Sequence, residues 1–351
     1  MYMSLEIKGF RCFRHLTIPK LARLNLIGGK NNTGKTALLE AVRVLTDGWS
    51  RPGAVVRDLY RLRGLDDAAM KALGFIDIPH GFSHVGEGSV AAHDPNVRAA
   101  AFEGAGPSNV MVDIKVGTVS VPRTSGENRT HLLARRFEVS RLGTGTSHVE
   151  VDEKQGLDIS PTHEALTPCF LLSVGGGSGS DELVALFSSV QVAKLKEYPV
   201  AALGQVDSRL VDIAVAKVGD VSLVHADVGA PRFVPIELTG AGMARICSIV
   251  LAVCNARGGF VLIDEIENGL HYSVMADVWR AIAQAALDLD VQVFATTHSH
   301  ECVAAAYGAT EEMPEDTFLY HRLDRVDDEI VCQTYSPRGL EIAMATGNEI
   351  R

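Results

Sequence analysis

Eight consecutive residues, Gly29-Lys30-Asn31-Asn32-Thr33-Gly34-Lys35-Thr36, fit the pattern GxxxxGK[ST] and limit what this chain can fold into more than any other feature. Glycines in such a loop let the backbone curl until several N–H groups point at one anion. The helix that follows offers its positive end to the same anion. Lys35 then reaches the β- and γ-phosphates of a nucleotide, and the Thr36 hydroxyl can ligate Mg²⁺. The expected binding set is Gly29, Asn31, Asn32, Thr33, Gly34, Lys35, Thr36 and Ala37. The flanks suit the motif. Residues 23–27 read as a strand running into Gly28-Gly29, and Leu38, Leu39, Val42 and Leu45 fall on one helical face. Gly48 and Pro52 are the expected stop. A plain glycine turn would not require this strand–loop–helix order.

A phosphate loop needs carboxylates opposite it. Residues 259–263 are a continuous apolar run ending in Asp264-Glu265, which is how a parallel strand buried on both faces reads. Asp264 would hold the metal, and Glu265 would orient or deprotonate an attacking water. A second buried run, 291–295, leads into Thr296-Thr297-His298-Ser299. Ligands in parallel sheets bind at the carboxyl ends of strands, so His298 is expected beside the γ-phosphate. An apolar strand ending in two acids is a weak signal alone, and a lone histidine is more often structural. Together with the phosphate loop they form one set.

Strands alternating with helices predict an α/β fold around a largely parallel sheet. Residues 3–27 read as two strands around a turn. Residues 48–170 change character and become rich in Gly, Pro, Ser, Thr and Arg. The pattern there predicts an antiparallel β-rich insertion, with β-prone pieces at 110–116 and 134–141 and long loops at 81–109 and 142–148. The run 175–179 reads as a flexible joint or a site loop. Residues 181–218 carry helical signals with Asp181 as N-cap, and a hairpin is expected from 221–225 and 232–236. Helices are expected at 242–255 and 272–288, and a strand pair at 317–323 and 330–335.

Net charge is −10, so a general basic field for nucleic acid is absent. Any DNA contact would need a local patch, for which Arg123, Arg129, Arg135, Arg136 and Arg141 are the best candidate, although scattered charge of this kind more often just solvates a β face. The six cysteines form no CxxC pair and read as buried hydrophobes in a reducing compartment; Cys247 and Cys254 share a helix face. No signal peptide and no run of 18 apolar residues is found, which predicts a cytoplasmic chain without a membrane contact.

The segments IKGFRCF, GGKNNTGKTALLEA, LIDEIENGLH and ATTHS resemble the ATPase head shared by the RecF, SMC and OLD (overcoming lysogenization defect) proteins, with the OLD-like wording nearest. The likeness covers about residues 3–46 and 233–307. It implies an ABC-type P-loop ATPase that takes ATP and Mg²⁺ and works as a homodimer or higher homo-oligomer, each ATP held by the P-loop of one subunit and a signature loop of the other. The signature would be Leu238-Thr239-Gly240-Ala241-Gly242-Met243, with Thr239, Gly240 and Gly242 in contact with phosphate. It departs from LSGGQ and from the SxGxG form of OLD-like heads, and Thr239 also reads as an ordinary helix N-cap. His271 stands where the D-loop acid is found. The segment 170–173 resembles the Q-loop position but holds no glutamine. Phe10, Arg11 or Phe13 would lie near the base. No TOPRIM nuclease set is legible after Ser299.

On this reading residues 1–351 are one ABC-type ATPase domain, with the insertion at about 48–170 and a helical lobe at about 178–230. Its expected role is a nucleotide-driven sensor or switch for a separately encoded effector, such as a TOPRIM-type nuclease in bacterial phage defence. The alternative is a RecF-like, ATP-gated DNA-repair clamp.

Overall fold

The computed structural model describes residues 1–63, 96–103, 106–125, 128–142, 144–152, 156–159, 167–173 and 180–346. The chain opens with strands β1 (Tyr2–Phe10), β2 (Phe13–Ile18) and β3 (Leu24–Gly29), then helices α1 (Lys35–Asp47) and α2 (Pro52–Arg61). Five strands follow: β4 (Asn96–Glu103), β5 (Gly106–Ser125), β6 (Asn128–Arg141), β7 (Gly145–Asp152) and β8 (Gly156–Ile159). Strand β9 (Cys169–Leu172) precedes helices α3 (Ser180–Val192) and α4 (Glu197–Val206) and strands β10 (Asp212–Val218), β11 (Val221–Asp227) and β12 (Val234–Pro235). The remainder alternates: α5 (Ala241–Asn255), β13 (Phe260–Ile263), α6 (Met275–Asp288), β14 (Gln292–Thr296), α7 (His300–Thr310), β15 (Phe318–Val326), β16 (Glu329–Tyr335) and α8 (Pro337–Ala345).

The central sheet has the order β16-β15-β3-β14-β13-β9. Its pairings are parallel except for the β15–β16 hairpin. The apolar runs follow from burial on both faces. Along β13, Phe260 and Leu262 enter one core while Val261 and Ile263 enter the other, and on β14 Phe294 opposes Val293 and Ala295. Residues two apart share a face, so a strand that feeds two cores has no polar face to show. One core lies between this sheet and α3–α7; the second lies between it and an antiparallel sheet of order β2-β1-β4-β5-β6-β7-β8. Helix α1 runs through the second core, touching strands of both sheets.

Several expectations are corrected. The first 29 residues give three strands, because β1 and β2 pair with each other in the antiparallel sheet while β3 joins the central one. The loop expected at 81–109 contains β4, which pairs with β1 and β5, and the loop expected at 142–148 contains the start of β7. Pro52 does not merely end a helix: it occupies the first turn of α2, where its missing N–H costs nothing. Residues 212–218 are strand β10 and pair with β11, while β11 also pairs with the short β12. Asp181 falls inside the first turn of α3. The run 175–179 and the side chains of Arg123, Arg129, Arg135 and Arg136 lie outside what is described. No helix among the described residues is long and apolar enough to cross a membrane.

Candidate nucleotide site

Four parallel strands end at one edge of the central sheet, and each delivers part of the site. The P-loop follows β3, Ser173 follows β9, Asp264-Glu265 follow β13, and Thr297-His298 follow β14. Gly34 is the N-cap of α1 with φ 91°. A Cβ there would lie 2.6 Å from Cys12 Sγ and 2.8 Å from the Phe13 ring, so the β1–β2 turn closes down on the loop at a point only glycine permits. The Thr33 hydroxyl donates to the Lys30 carbonyl at 2.9 Å, which closes the loop's own turn.

Lys35 is buried, and its ammonium donates to the carbonyls of Gly29 (2.7 Å) and Lys30 (2.8 Å). Burial lowers its pKa to about 8, against the pull of Asp264, Glu265 and Glu267. Asp264 is buried too. Desolvation raises its pKa, and hydrogen bonds from Thr296 and Thr36 oppose that rise. The Thr296 hydroxyl donates to Asp264 Oδ1 at 2.6 Å and accepts the Glu265 N–H at 2.8 Å. The Thr36 hydroxyl stands 3.4 Å from both Asp264 oxygens. A hydroxyl and one carboxylate are hard oxygen donors, the set that Mg²⁺ uses when phosphates and water complete its shell. The residues present therefore fit the ion.

Glu265 adopts φ 45°, a left-handed backbone that a non-glycine residue holds only when its surroundings enforce it. The Thr296 hydroxyl holds its N–H, and its carbonyl accepts from Asn268 N–H at 3.0 Å. His298 Nε2 lies 3.4 Å from Glu265 Oε1, and both side chains are part-exposed. The expected residues Lys35, Thr36, Asp264, Glu265 and His298 are thus brought together.

The signature lies apart from them. The Thr239 hydroxyl donates to the Ile236 carbonyl at 2.7 Å, so it does not cap α5; the N-cap is Gly240. Gly242 packs on the Gly269 carbonyl of the segment after Glu265. Leu238 is 76% exposed. His271 is exposed as well, and its Nδ1 accepts from Ser273 N–H. Of the residues expected near the base, Phe10 and Phe13 are buried in the core, and Arg11 is bonded to Glu40 at 2.9 Å.

Three contributors escaped the sequence reading. Thr296 fixes Asp264 and Glu265, as above. Arg245 on α5 donates to the carbonyls of Asp264 (3.0 Å) and Ser173 (3.3 Å), tying the signature helix to the acid strand and to the end of β9. Burial lowers its pKa against the attraction of Asp264, Glu265 and Glu267. Glu267 accepts the His298 backbone N–H at 2.6 Å. The only sequence signal was a charge inside the apolar run of α5 and a third acid after Asp264-Glu265.

A phosphate-loop helix clasped between a mainly parallel sheet and an antiparallel one, with an acid pair across the sheet edge, defines an ATPase head of the ABC type. Comparison with known proteins agrees: the chain has the fold of a P-loop ATPase head and is similar to AAA-type ATPase domains and to SMC heads. The family model described as "AAA ATPase domain" matches residues 203–303, and that described as "AAA domain" matches residues 4–63. An "ATP/GTP phosphatase" of Helicobacter pylori is 24% identical, with 97% of each chain covered. A "DNA replication and repair protein RecF" of Thioalkalivibrio sulfidiphilus is 46% identical over 46 residues, 13% of each chain. Among solved structures, an SMC head bound to the C-terminal winged-helix domain of ScpA superposes with TM-score 0.56 at 15% identity, covering 98% of this chain and 99% of that one. An SMC head with an extended coiled coil, bound to the C-terminal domain of ScpA from Pyrococcus furiosus, gives TM-score 0.52 at 14% identity, covering 100% and 99%. At such identity these two establish the fold.

Proposed function

We propose that this ATPase binds MgATP and uses its hydrolysis as a switch for a separately encoded effector. The convergence of Lys35, Thr36, Asp264, Glu265 and His298 on one sheet edge carries the reading. Lys35, already stripped of water, would exchange its carbonyl partners for the β- and γ-phosphates of ATP. Thr36 and Asp264 would hold Mg²⁺, which neutralises charge developing on the phosphates. Glu265 would orient a water against the γ-phosphorus and accept its proton as the bond to the β-phosphate oxygen breaks, leaving ADP and phosphate. His298 would sense the γ-phosphate beside Glu265.

The signature around Thr239, Gly240 and Gly242 would complete the site of a second subunit, which makes the working form a homodimer or higher homo-oligomer. The solved SMC heads are bound to domains of another protein, which supports a head that acts through a partner. A TOPRIM-type nuclease in a bacterial phage-defence pair is the partner favoured by the OLD-like wording. A RecF-like DNA clamp is the second reading, favoured by the short RecF match and opposed by the net charge of −10.

The test is turnover by the purified chain. Wild type is expected to release phosphate from MgATP and to leave DNA uncut. Glu265→Gln is expected to bind ATP normally and to turn it over at least about a hundredfold more slowly, since the amide keeps the shape and loses the base. Near-normal release by that variant would assign the water to another residue. Divalent-dependent DNA cleavage by the chain alone, absent from a Lys35→Ala preparation made alongside, would remove the need for a separate nuclease.

A further inference from the structure

We infer that Glu267 is a positioning residue of the hydrolytic site: its carboxylate holds the backbone of His298 so that the imidazole is presented to Glu265. This deepens the proposed function and rests on the roles given there to Glu265 and His298. Regular pairing between β13 and β14 ends at Ile263 and Ala295. Beyond that point the two strands part from each other, β13 at once and β14 after Thr296, and the segments that follow carry Glu265 and His298. What keeps them in register is a short series of bonds that continues past the strands. Ile266 N–H donates to the Thr296 carbonyl at 3.0 Å, and Glu265 N–H donates to the Thr296 hydroxyl at 2.8 Å. Glu267 Oε1 accepts from His298 N–H at 2.6 Å and is the outermost of these bonds. It is the one attached to the histidine.

Its geometry is that of a charge-assisted bond, shorter and stronger than a neutral one. Glu267 is itself anchored, because its carbonyl accepts from Leu270 N–H at 3.0 Å and so fixes the turn that carries it. The other carboxylate oxygen, Oε2, is buried and has no hydrogen-bond partner among the described residues. The carboxylate is thus committed through Oε1 to the His298 backbone, with no second hydrogen bond among the described residues to draw it elsewhere. A single residue, Ile266, separates Glu267 from Glu265. Movement of the Asp264–Glu265 turn is therefore transmitted to the histidine loop through Thr296 and through the Glu267 side chain, and of the two only Glu267 bonds His298 itself, whose imidazole lies 3.4 Å from Glu265.

The test is a double-mutant cycle in kcat, with nucleotide affinity and thermal midpoint measured on each variant. Glu267→Ala is expected to lower kcat by about tenfold to a hundredfold and to leave the ATP Kd within about twofold, because the lost bond acts on the hydrolytic loop and not on the P-loop. Glu267→Gln keeps an acceptor oxygen and is expected to recover a large part of that loss. In a His298→Ala background, Glu267→Ala is expected to cost nothing further, since the residue works through the histidine. An unchanged kcat in Glu267→Ala, or a loss of the same size in both backgrounds, overturns the inference. So does a loss that tracks a rise in Kd and a fall in thermal midpoint together. A dead His298→Ala beside a fully active Glu267→Ala sinks this inference alone. Full turnover in His298→Ala sinks the sensor reading and this inference with it.

Discussion

Lys35 enters the reaction already desolvated. Its ammonium faces two loop carbonyls, and burial has moved its pKa down to about 8. Phosphate oxygens arriving at the same place favour the charged form and raise that pKa again. The sign follows from linkage. Below about pH 8 the lysine is charged before ATP arrives, and binding takes up no proton there. Above it, the free site is increasingly neutral and binding must recruit a proton, so affinity falls as pH rises, approaching about tenfold per unit. Titration calorimetry in two buffers of different ionisation enthalpy should show proton uptake above pH 8 that vanishes near pH 7. Affinity that stays flat from pH 7 to 10 would remove Lys35 from the phosphate contact. Lys35→Ala should abolish binding at every pH.

Helix α1 couples the nucleotide site to the antiparallel sheet. Lys35 and Thr36 open it, and five residues further on Glu40 is completely buried, gripped by Arg11 from the β1–β2 turn and by Arg63 beyond α2. Each guanidinium meets the carboxylate with two N–H donors, the geometry that makes such pairs specific. Glu40→Ala removes this carboxylate from both guanidiniums, and breaking a buried ion pair from one side costs about 3–5 kcal/mol. Arg63 is 40% exposed on its side chain and can turn toward water, which relieves part of that, so the lower end of the range is expected. Urea unfolding at pH 7 measures it; a change below about 0.5 kcal/mol would mean the cluster is ornamental to the fold. Little of this was legible beforehand. The strand–loop–helix motif and the runs that became β13 and β14 could be read because their signals are local, a fixed glycine spacing and unbroken apolar residues. Strand β4 was missed because its alanines have low strand propensity and its partner β1 lies some ninety residues earlier. Strand β10 was taken for helix, since its apolar residues do not alternate cleanly with polar ones. Glu40, Arg245, Thr296 and Glu267 act through residues distant in sequence, and no local pattern announces a tertiary hydrogen bond.

At the scale of the whole molecule, the site and the signature sit on different parts of one head, and the signature's described hydrogen bonds stay within its own turn. Around it the surface is apolar and open: Leu238, Phe233 and Tyr272 are all at least half exposed. A second head approaching this edge would bury them and bring the start of α5, with its free N–H groups, to the γ-phosphate of the first. If so, each ATP is completed in trans, and activity belongs to the pair. Bulk at the signature should then block hydrolysis without touching the P-loop. Gly240 is a poor place for it, because its φ of 130° would add backbone strain to any side chain. Ala241 is exposed and free of that restriction, so Ala241→Trp is the cleaner variant. It should retain ATP binding and lose turnover and ATP-dependent dimer formation. Lys35→Ala should fail for the opposite reason, with an intact signature and no nucleotide of its own. In a mixed dimer the tryptophan of one chain spoils only one of the two sites, and the missing lysine of the other disables that same site. The remaining site pairs an intact P-loop with an intact signature. Mixing the two variants should therefore restore activity above the sum of the separate preparations, up to about half the wild-type rate per dimer. Mixed dimers shown to form by mass, yet with no recovery of phosphate release, would place the completed site within a single chain.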